Sequence, residues 1–203
     1  MAGSLGVWLI ASPHHHLGLL QQFDCMRKYL LLLLLLPLIA ACSTSGDQEN
    51  KNANYIMTND FEAFDGWIPA NGSLNSEQAH SGKYSIKVDK AQEYSMGFRN
   101  FLGKVSSRKP YKVKLSCWAY LPSNKATAHY QLQILEPVTG EKIFEDGVVL
   151  TNMINDYRTW VKAEKTIRLP ENIAYSHEIR VFLWRANAEV PVYIDDVSLV
   201  ILE

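Results

Sequence analysis

Residues 111–121, Tyr-Lys-Val-Lys-Leu-Ser-Cys-Trp-Ala-Tyr-Leu, alternate apolar and polar side chains. A period of two puts successive side chains on opposite faces of an extended strand, whereas a helix needs a stripe every 3.6 residues. The run therefore has one face for a core (Tyr111, Val113, Leu115, Cys117, Ala119) and one face left over (Lys112, Lys114, Ser116, Trp118, Tyr120). The same period recurs in Tyr84–Val88, in Ala128–Ile134 and in Ile179–Leu183, and residues 142–150, 160–169 and 190–201 read as further strands. Turn residues separate them at Asn71-Gly72, Ser81-Gly82, Pro122-Ser123-Asn124, Thr139-Gly140, Asp146-Gly147 and Pro170-Glu171-Asn172. No long segment has helical spacing. About seven to nine short strands with turns between them predict an all-β chain, a β-sandwich of the jelly-roll type with two antiparallel sheets.

The first 54 residues follow different rules. Met26-Arg27-Lys28 precedes an apolar stretch of 13 residues, Tyr29 to Ala41, which includes seven consecutive leucines and ends at Cys42. A short positive segment, an apolar stretch and small residues at the cut make a secretory signal. The stretch is shorter than the roughly 20 residues that span a bilayer as a helix. Ile39-Ala40-Ala41-Cys42 resembles the lipobox of bacterial lipoproteins. That resemblance implies a lipid on Cys42, cleavage before it, and a membrane contact made through the anchor alone, since several acyl chains hold a protein where one does not. An ordinary signal peptide with a chance cysteine is the alternative. On this reading translation starts at Met26 and residues 1–25, with His14-His15-His16 and Cys25, are an upstream leader. Residues 26–41 are the signal, 42–54 a polar tether and 55–203 the folded domain. Asp47 and Glu49 resemble the surface-export signal of Bacteroidetes lipoproteins. The expected location is the outer membrane, facing the periplasm or the cell surface.

Composition narrows the function. Lys and Arg number 20 and Asp and Glu 21, a net charge of −1, so no nucleic-acid surface is expected. The 162 residues from Cys42 onward suffice for one domain with its own core. Beyond Cys42 the chain has a single cysteine, Cys117, so no internal disulfide supports the fold.

Five segments in order carry a family resemblance: Asn59-Asp60-Phe61-Glu62 with Gly66-Trp67; Ala79-His80-Ser81-Gly82-Lys83-Tyr84-Ser85; Lys109-Pro110-Tyr111-Lys112-Val113 with Cys117-Trp118; Trp160 with Leu169-Pro170; and Tyr193 through Asp195-Asp196 to Leu199. Together they resemble galactose-binding-domain-like jelly rolls, the form of carbohydrate-binding modules of the xylan- and glucan-binding families. The resemblance implies a structural Ca²⁺, held by Glu62, by main-chain oxygens of the turn Ser81 to Lys83, and by Asp195 or Asp196. Carboxylates and carbonyls are the hard oxygen ligands Ca²⁺ takes. The alternative is that these acids accept backbone N–H bonds at turns. A fold does not fix a ligand, so the site needs its own argument.

Parity supplies one. The outer residues of the three clearest strands include Trp118 and Tyr120, then Gln131 and Gln133 beside His129, then Arg180, Phe182 and Trp184. Aromatic rings stack on the C–H faces of a pyranose, Gln both donates and accepts, and Arg offers a rigid fork. If the three strands adjoin in one sheet, Trp118, Tyr120, Gln131, Gln133, Arg180 and Trp184 make a platform for a polysaccharide or oligosaccharide. Trp118 and Trp184 stand between platform and packing, and Trp67 and Trp160 are read as packing. Tyr94, Phe98 and Phe101 offer an end-on site instead.

The expected function is non-catalytic glycan capture. A structural or interaction module with envelope protein partners is the second reading. A polysaccharide lyase using His129, Tyr120, Arg180 and a Gln is the third. A hydrolase needs two carboxylates flanking the scissile bond; Glu141, Glu145 and Asp146 cluster, but the strand motif E-x-D-x-x-E is absent.

Overall fold

The structure, a computed structural model, describes residues 54–64, 66, 68 and 71–203. The leader, the signal, Cys42, all but the last residue of the tether and Trp67 lie outside the described residues.

Two antiparallel sheets face each other. The strands are β1 (Asn54–Asn59), β2 (Leu74–Asn75), β3 (Ser85–Val88), β4 (Phe98–Phe101), β5 (Lys112–Tyr120), β6 (His129–Leu135), β7 (Lys142–Val149), β8 (Trp160–Arg168), β9 (Glu178–Trp184) and β10 (Val192–Ile201). One sheet has six strands in the order β2-β3-β10-β5-β8, with β1 also on β10; the other has four, β4-β9-β6-β7. Two single-turn helices, α1 (Leu102–Val105) and α2 (Leu150–Met153), follow β4 and β7. The all-β sandwich expected from alternation is the fold observed.

Parity predicts the core well. Val113, Leu115, Cys117 and Ala119 of β5, Tyr130, Leu132 and Ile134 of β6 and Ile179, Val181 and Leu183 of β9 are all at most 2% exposed. Each large apolar side chain removed from water contributes about 1.5–3 kcal/mol. Burial pushes the Cys117 thiol far up, so it is an inert core residue. Tyr111 departs from the pattern: it precedes β5, is exposed, and has Arg168 over its ring at 5.0 Å.

Asp146-Gly147, expected as a turn, lies inside β7. Gly147 faces Gln131 across the ladder, and a Cβ there would sit 2.4 Å from the Tyr130 carbonyl oxygen, so a close strand approach rather than a turn explains the glycine. Asp146 turns to the neighbouring sheet, where its Oδ1 accepts from Lys165 Nζ at 2.5 Å and joins the edge strands β7 and β8.

β10 has two partners along one edge. β3 pairs Val192 to Ile194, and β1 pairs Val197 to Ile201. The handover falls at Asp195-Asp196, where Asp196 takes φ 45° and the register against β5 shifts.

Candidate carbohydrate-binding groove

The outer side chains of β9 are Arg180, Phe182 and Trp184, opposite the buried Ile179, Val181 and Leu183. Residues 93–97 extend β4 along the same edge: Ser95 N–H donates to the Leu183 carbonyl (2.9 Å), Arg185 N–H to the Glu93 carbonyl (2.9 Å), and Tyr94 bridges to Trp184. This pairing brings Tyr94 beside Trp184 (centroids 6.4 Å, 11°) and edge-on to Phe182 (6.0 Å, 65°). Tyr94 is 54% exposed. Gly97 lets the segment lie flat, since a Cβ there would be 2.4 Å from the Val181 carbonyl oxygen.

Beside Tyr94 and Phe182 lies an open groove of about 480 Å³, lined also by Ser95, Gly97, Phe98, Arg99, Gln133 and Arg180. That size and mix of aromatic rings with a few converging polar groups is what small-molecule and sugar sites use. Arg99 and Arg180 are register partners on β4 and β9. Both hold Glu178, which is 3% exposed: Arg99 Nε donates to Oε2 at 2.5 Å and Arg180 Nε to Oε1. Burial works to raise the Glu178 pKa, but the hydrogen bonds from Arg180 and Arg99 prevail and hold it below the ordinary range. Gln133 Nε2 donates to Glu145 Oε1 at 2.8 Å, and Lys142 takes the other oxygen of Glu145. At the far end, Trp184 Nε1 donates to Glu93 Oε1 (2.9 Å) and Arg185 to Oε2 (2.6 Å), which fixes the indole.

The six platform residues do not share a face. Gln133 and Arg180 line the groove, and Trp184 stacks beside Tyr94, which lines it. Gln131 lies on the same face but is only 9% exposed, its amide 3.4 Å from His129 Nδ1. Trp118 and Tyr120 belong to β5, in the six-stranded sheet, so they face away from β6 and β9. The condition that the three strands adjoin fails because the chain crosses between sheets after Tyr120.

Trp118 is also covered. The turn of residues 78–84 folds over the outer face of β5 and β10, and His80 stacks on the Trp118 indole (3.9 Å, 14°) and meets Trp160 edge-on (5.7 Å). Tyr120 packs against Trp160 (5.7 Å) and Tyr193 (5.9 Å). The lyase constellation is likewise divided: His129 and Arg180 share one sheet while Tyr120 is on the other, and burial lowers the pKa of His129, which sits edge-on to Trp184 at 5.3 Å. Of the clustered acids, Glu145 is paired with Lys142 and Asp146 with Lys165.

The expected calcium ligands hold the 78–84 turn by hydrogen bonds. Glu62 Oε1 accepts from Lys83 N–H (2.8 Å) and Tyr84 N–H (2.7 Å). Asp195 Oδ2 accepts from His80 N–H (2.8 Å) and Ser81 N–H (3.2 Å), and its Oδ1 from Asp196 N–H (2.7 Å). Asp196 is held by Ser81 Oγ (2.8 Å) and His80 Nδ1 (2.5 Å). No three carboxylate, His or Cys groups gather as a metal cage among the described residues. Glu62 Oε1 and both oxygens of Asp195 and Asp196 thus face N–H or side-chain donors, the turn-holding role that is the alternative to metal binding.

Arg99, Tyr94 and Phe182 also line the groove, and Glu178 anchors its two arginines. Phe182 carried a signal in its outward parity on β9 and Tyr94 as a ring of the alternative end-on site, whereas Arg99 and Glu178 carried none.

Residues 53–187 match the family described as carbohydrate binding domain. The chain belongs to this family. Its solved structural neighbours include the CBM22-1 xylan-binding domain of Paenibacillus barcinonensis Xyn10C (18% identity, TM-score 0.46, covering 74% of this chain and 96% of that one). They also include the C-terminal family 22 carbohydrate binding module of Clostridium thermocellum Xyn10B (18%, 0.45, 73% and 93%). A cyclase from Fischerella sp. TAU is a more distant neighbour (16%, 0.38, 64% and 70%). No curated protein matches. The groove over β4, β9 and β6 brings the exposed Tyr94 and the half-buried Phe182 together with Arg99, Arg180 and Gln133.

Proposed function

We propose that the domain binds a polysaccharide or oligosaccharide, without cleaving it, in the groove between Tyr94, Phe182 and β6. The observation that carries this reading is the convergence of Tyr94, 54% exposed, and the half-buried Phe182 with Arg99, Arg180 and Gln133 around one groove, in a chain of the carbohydrate binding domain family. A sugar ring stacks on an aromatic face and its rim hydroxyls meet the polar groups. Affinity electrophoresis against a panel of xylans, β-glucans and acidic polysaccharides tests it. Retardation by at least one polymer is expected, and loss of that retardation in Tyr94→Ala. Migration unaffected by every polymer would refute the groove as a glycan site.

We further propose that Cys42 carries the lipid and that the domain works at the bacterial envelope, facing the outer membrane's periplasmic or outer side. The support is Ile39-Ala40-Ala41-Cys42 at the end of the apolar stretch that runs from Tyr29 to Ala41. Cells fed radiolabelled palmitate should label the wild-type protein and not Cys42→Ala.

A further inference from the structure

The groove has an imbalance of charge and of hydrogen-bonding capacity. Arg99 and Arg180 share one carboxylate, Glu178, so the pair leaves one positive charge in excess. Glu145, which accepts from the groove residue Gln133, is already matched by Lys142, and Glu93 by Arg185. Each guanidinium uses its Nε edge on Glu178, and among the described residues no hydrogen bond engages the Nη nitrogens of either arginine. An arginine has five N–H donors and accepts nothing, so each side chain offers a fork of unmet donors. Glu178, 3% exposed and gripped from both sides, fixes where the forks lie. The side chain of Arg99 is 66% exposed, so its fork reaches solvent at the groove.

A neutral sugar answers donors poorly. Its hydroxyls each bring a donor along with an acceptor and carry no charge. A carboxylate brings two oxygens that only accept, in a plane that matches the guanidinium fork, with a charge that cancels the excess. The whole chain is slightly acidic at net −1, so the local positive excess is a property of this groove and not of the protein at large.

We propose that the ligand is a uronate-bearing glycan, its carboxylate held by Arg99 and Arg180 while its ring stacks on Tyr94 and Phe182. The inference rests on the reading of the groove as a glycan site and narrows it to one substrate class. Glucuronoxylan, polygalacturonate and alginate present the needed group; a sulfate ester offers a similar charge with tetrahedral geometry.

The test uses the unaltered full-length protein in detergent and compares each polyuronate with the same polymer after chemical reduction of its carboxyls to alcohols. Affinity is expected to fall about tenfold or more on reduction, the scale of one charge-assisted bidentate pair. The same fall is expected for Arg180→Ala and Arg99→Ala on the parent polymer, with little further loss on the reduced one. Arg99→Lys and Arg180→Lys, which keep the charge and lose the fork, should show an intermediate fall and confirm that the protein is folded. Equal affinity for parent and reduced polymers would overturn the uronate inference while leaving glycan binding in place. Tighter binding to a sulfated, carboxyl-free polymer than to any polyuronate would overturn it as well. Failure to bind any polymer, neutral or acidic, would overturn the underlying reading together with it.

Discussion

The two outer faces of the sandwich carry similar inventories and differ in use. On the six-stranded sheet stand Trp118, Tyr120, Trp160 and Tyr193; on the four-stranded sheet and its edge stand Phe182, Trp184 and Tyr94. On the first face the rings meet one another and His80, and the turn held by Glu62, Asp195 and Asp196 lies across them. On the second the rings border an open groove, and the cations beside them keep donors to spare. Aromatic residues at outward positions are therefore a poor guide by themselves. A ring serves a ligand when its neighbours leave a face uncovered and when nearby polar groups are not already satisfied by the protein.

Substitutions on each side can break this contrast. The largest effect is expected for ligand affinity: Tyr94→Ala and Phe182→Ala should each weaken binding by roughly 10- to 100-fold, as for a central aromatic anchor, whereas Trp160→Ala should change it by less than about twofold. Calorimetry with the polymer that binds best would measure both, and a stronger loss in Trp160→Ala would reverse the assignment of faces.

Next comes Glu178, which separates positioning from packing. Glu178→Gln leaves two guanidinia without their shared anion and should lower stability by about 1–3 kcal/mol at neutral pH. Its folded pKa lies below the ordinary 4.5, so the ionised form is favoured by folding. The stabilisation is then complete above about 4.5 and is lost as pH falls through the lower folded value. The gap in melting temperature between wild type and variant should close on acidification in that window.

A smaller effect is expected at His80. Removing the ring that covers Trp118 and bonds Asp196 should cost about 1–2 kcal/mol of stability, measured by urea unfolding, with glycan affinity unchanged. The smallest concerns metal. With the turn carboxylates engaged by N–H and side-chain donors, a chelator should leave the melting temperature where calcium leaves it; a rise of several degrees with calcium would restore Glu62, Asp195 and Asp196 as ligands.

Much of the sandwich was legible because one-sided burial writes itself as period two. Val113 to Ala119, Tyr130 to Ile134 and Ile179 to Leu183 are buried as alternation requires. What alternation lacks is adjacency. Sequential strands are neighbours about two-thirds of the time, but among the described strands here only β2–β3 and β6–β7 are, and β5 and β6 run in succession yet belong to opposite sheets. That one crossing moved Trp118 and Tyr120 out of the platform and Tyr120 out of the lyase set. Short elements were invisible for another reason. β4 has four residues, Phe-Arg-Asn-Phe, too few to show a period, so Arg99 had no assigned face. Tyr94 lies in an irregular segment whose pairing exists only once β9 is in place. Glu178 opens β9, where a charge reads as a strand end rather than as the buried centre of an ion triad.

β10 has a consequence for the order of events in time. This strand, the last described, borders β1, β3 and β5, so it is the seam on which five other strands depend directly or through one neighbour. Pairings so distant along the chain form slowly. The six-stranded layer cannot close until residues 192–201 are in place, and until then β1, β3 and β5 present bare edges that invite aggregation. Closure of that layer thus waits on one strand, and a chain stopped short of Val192 should be protease-sensitive in β1, β3 and β5.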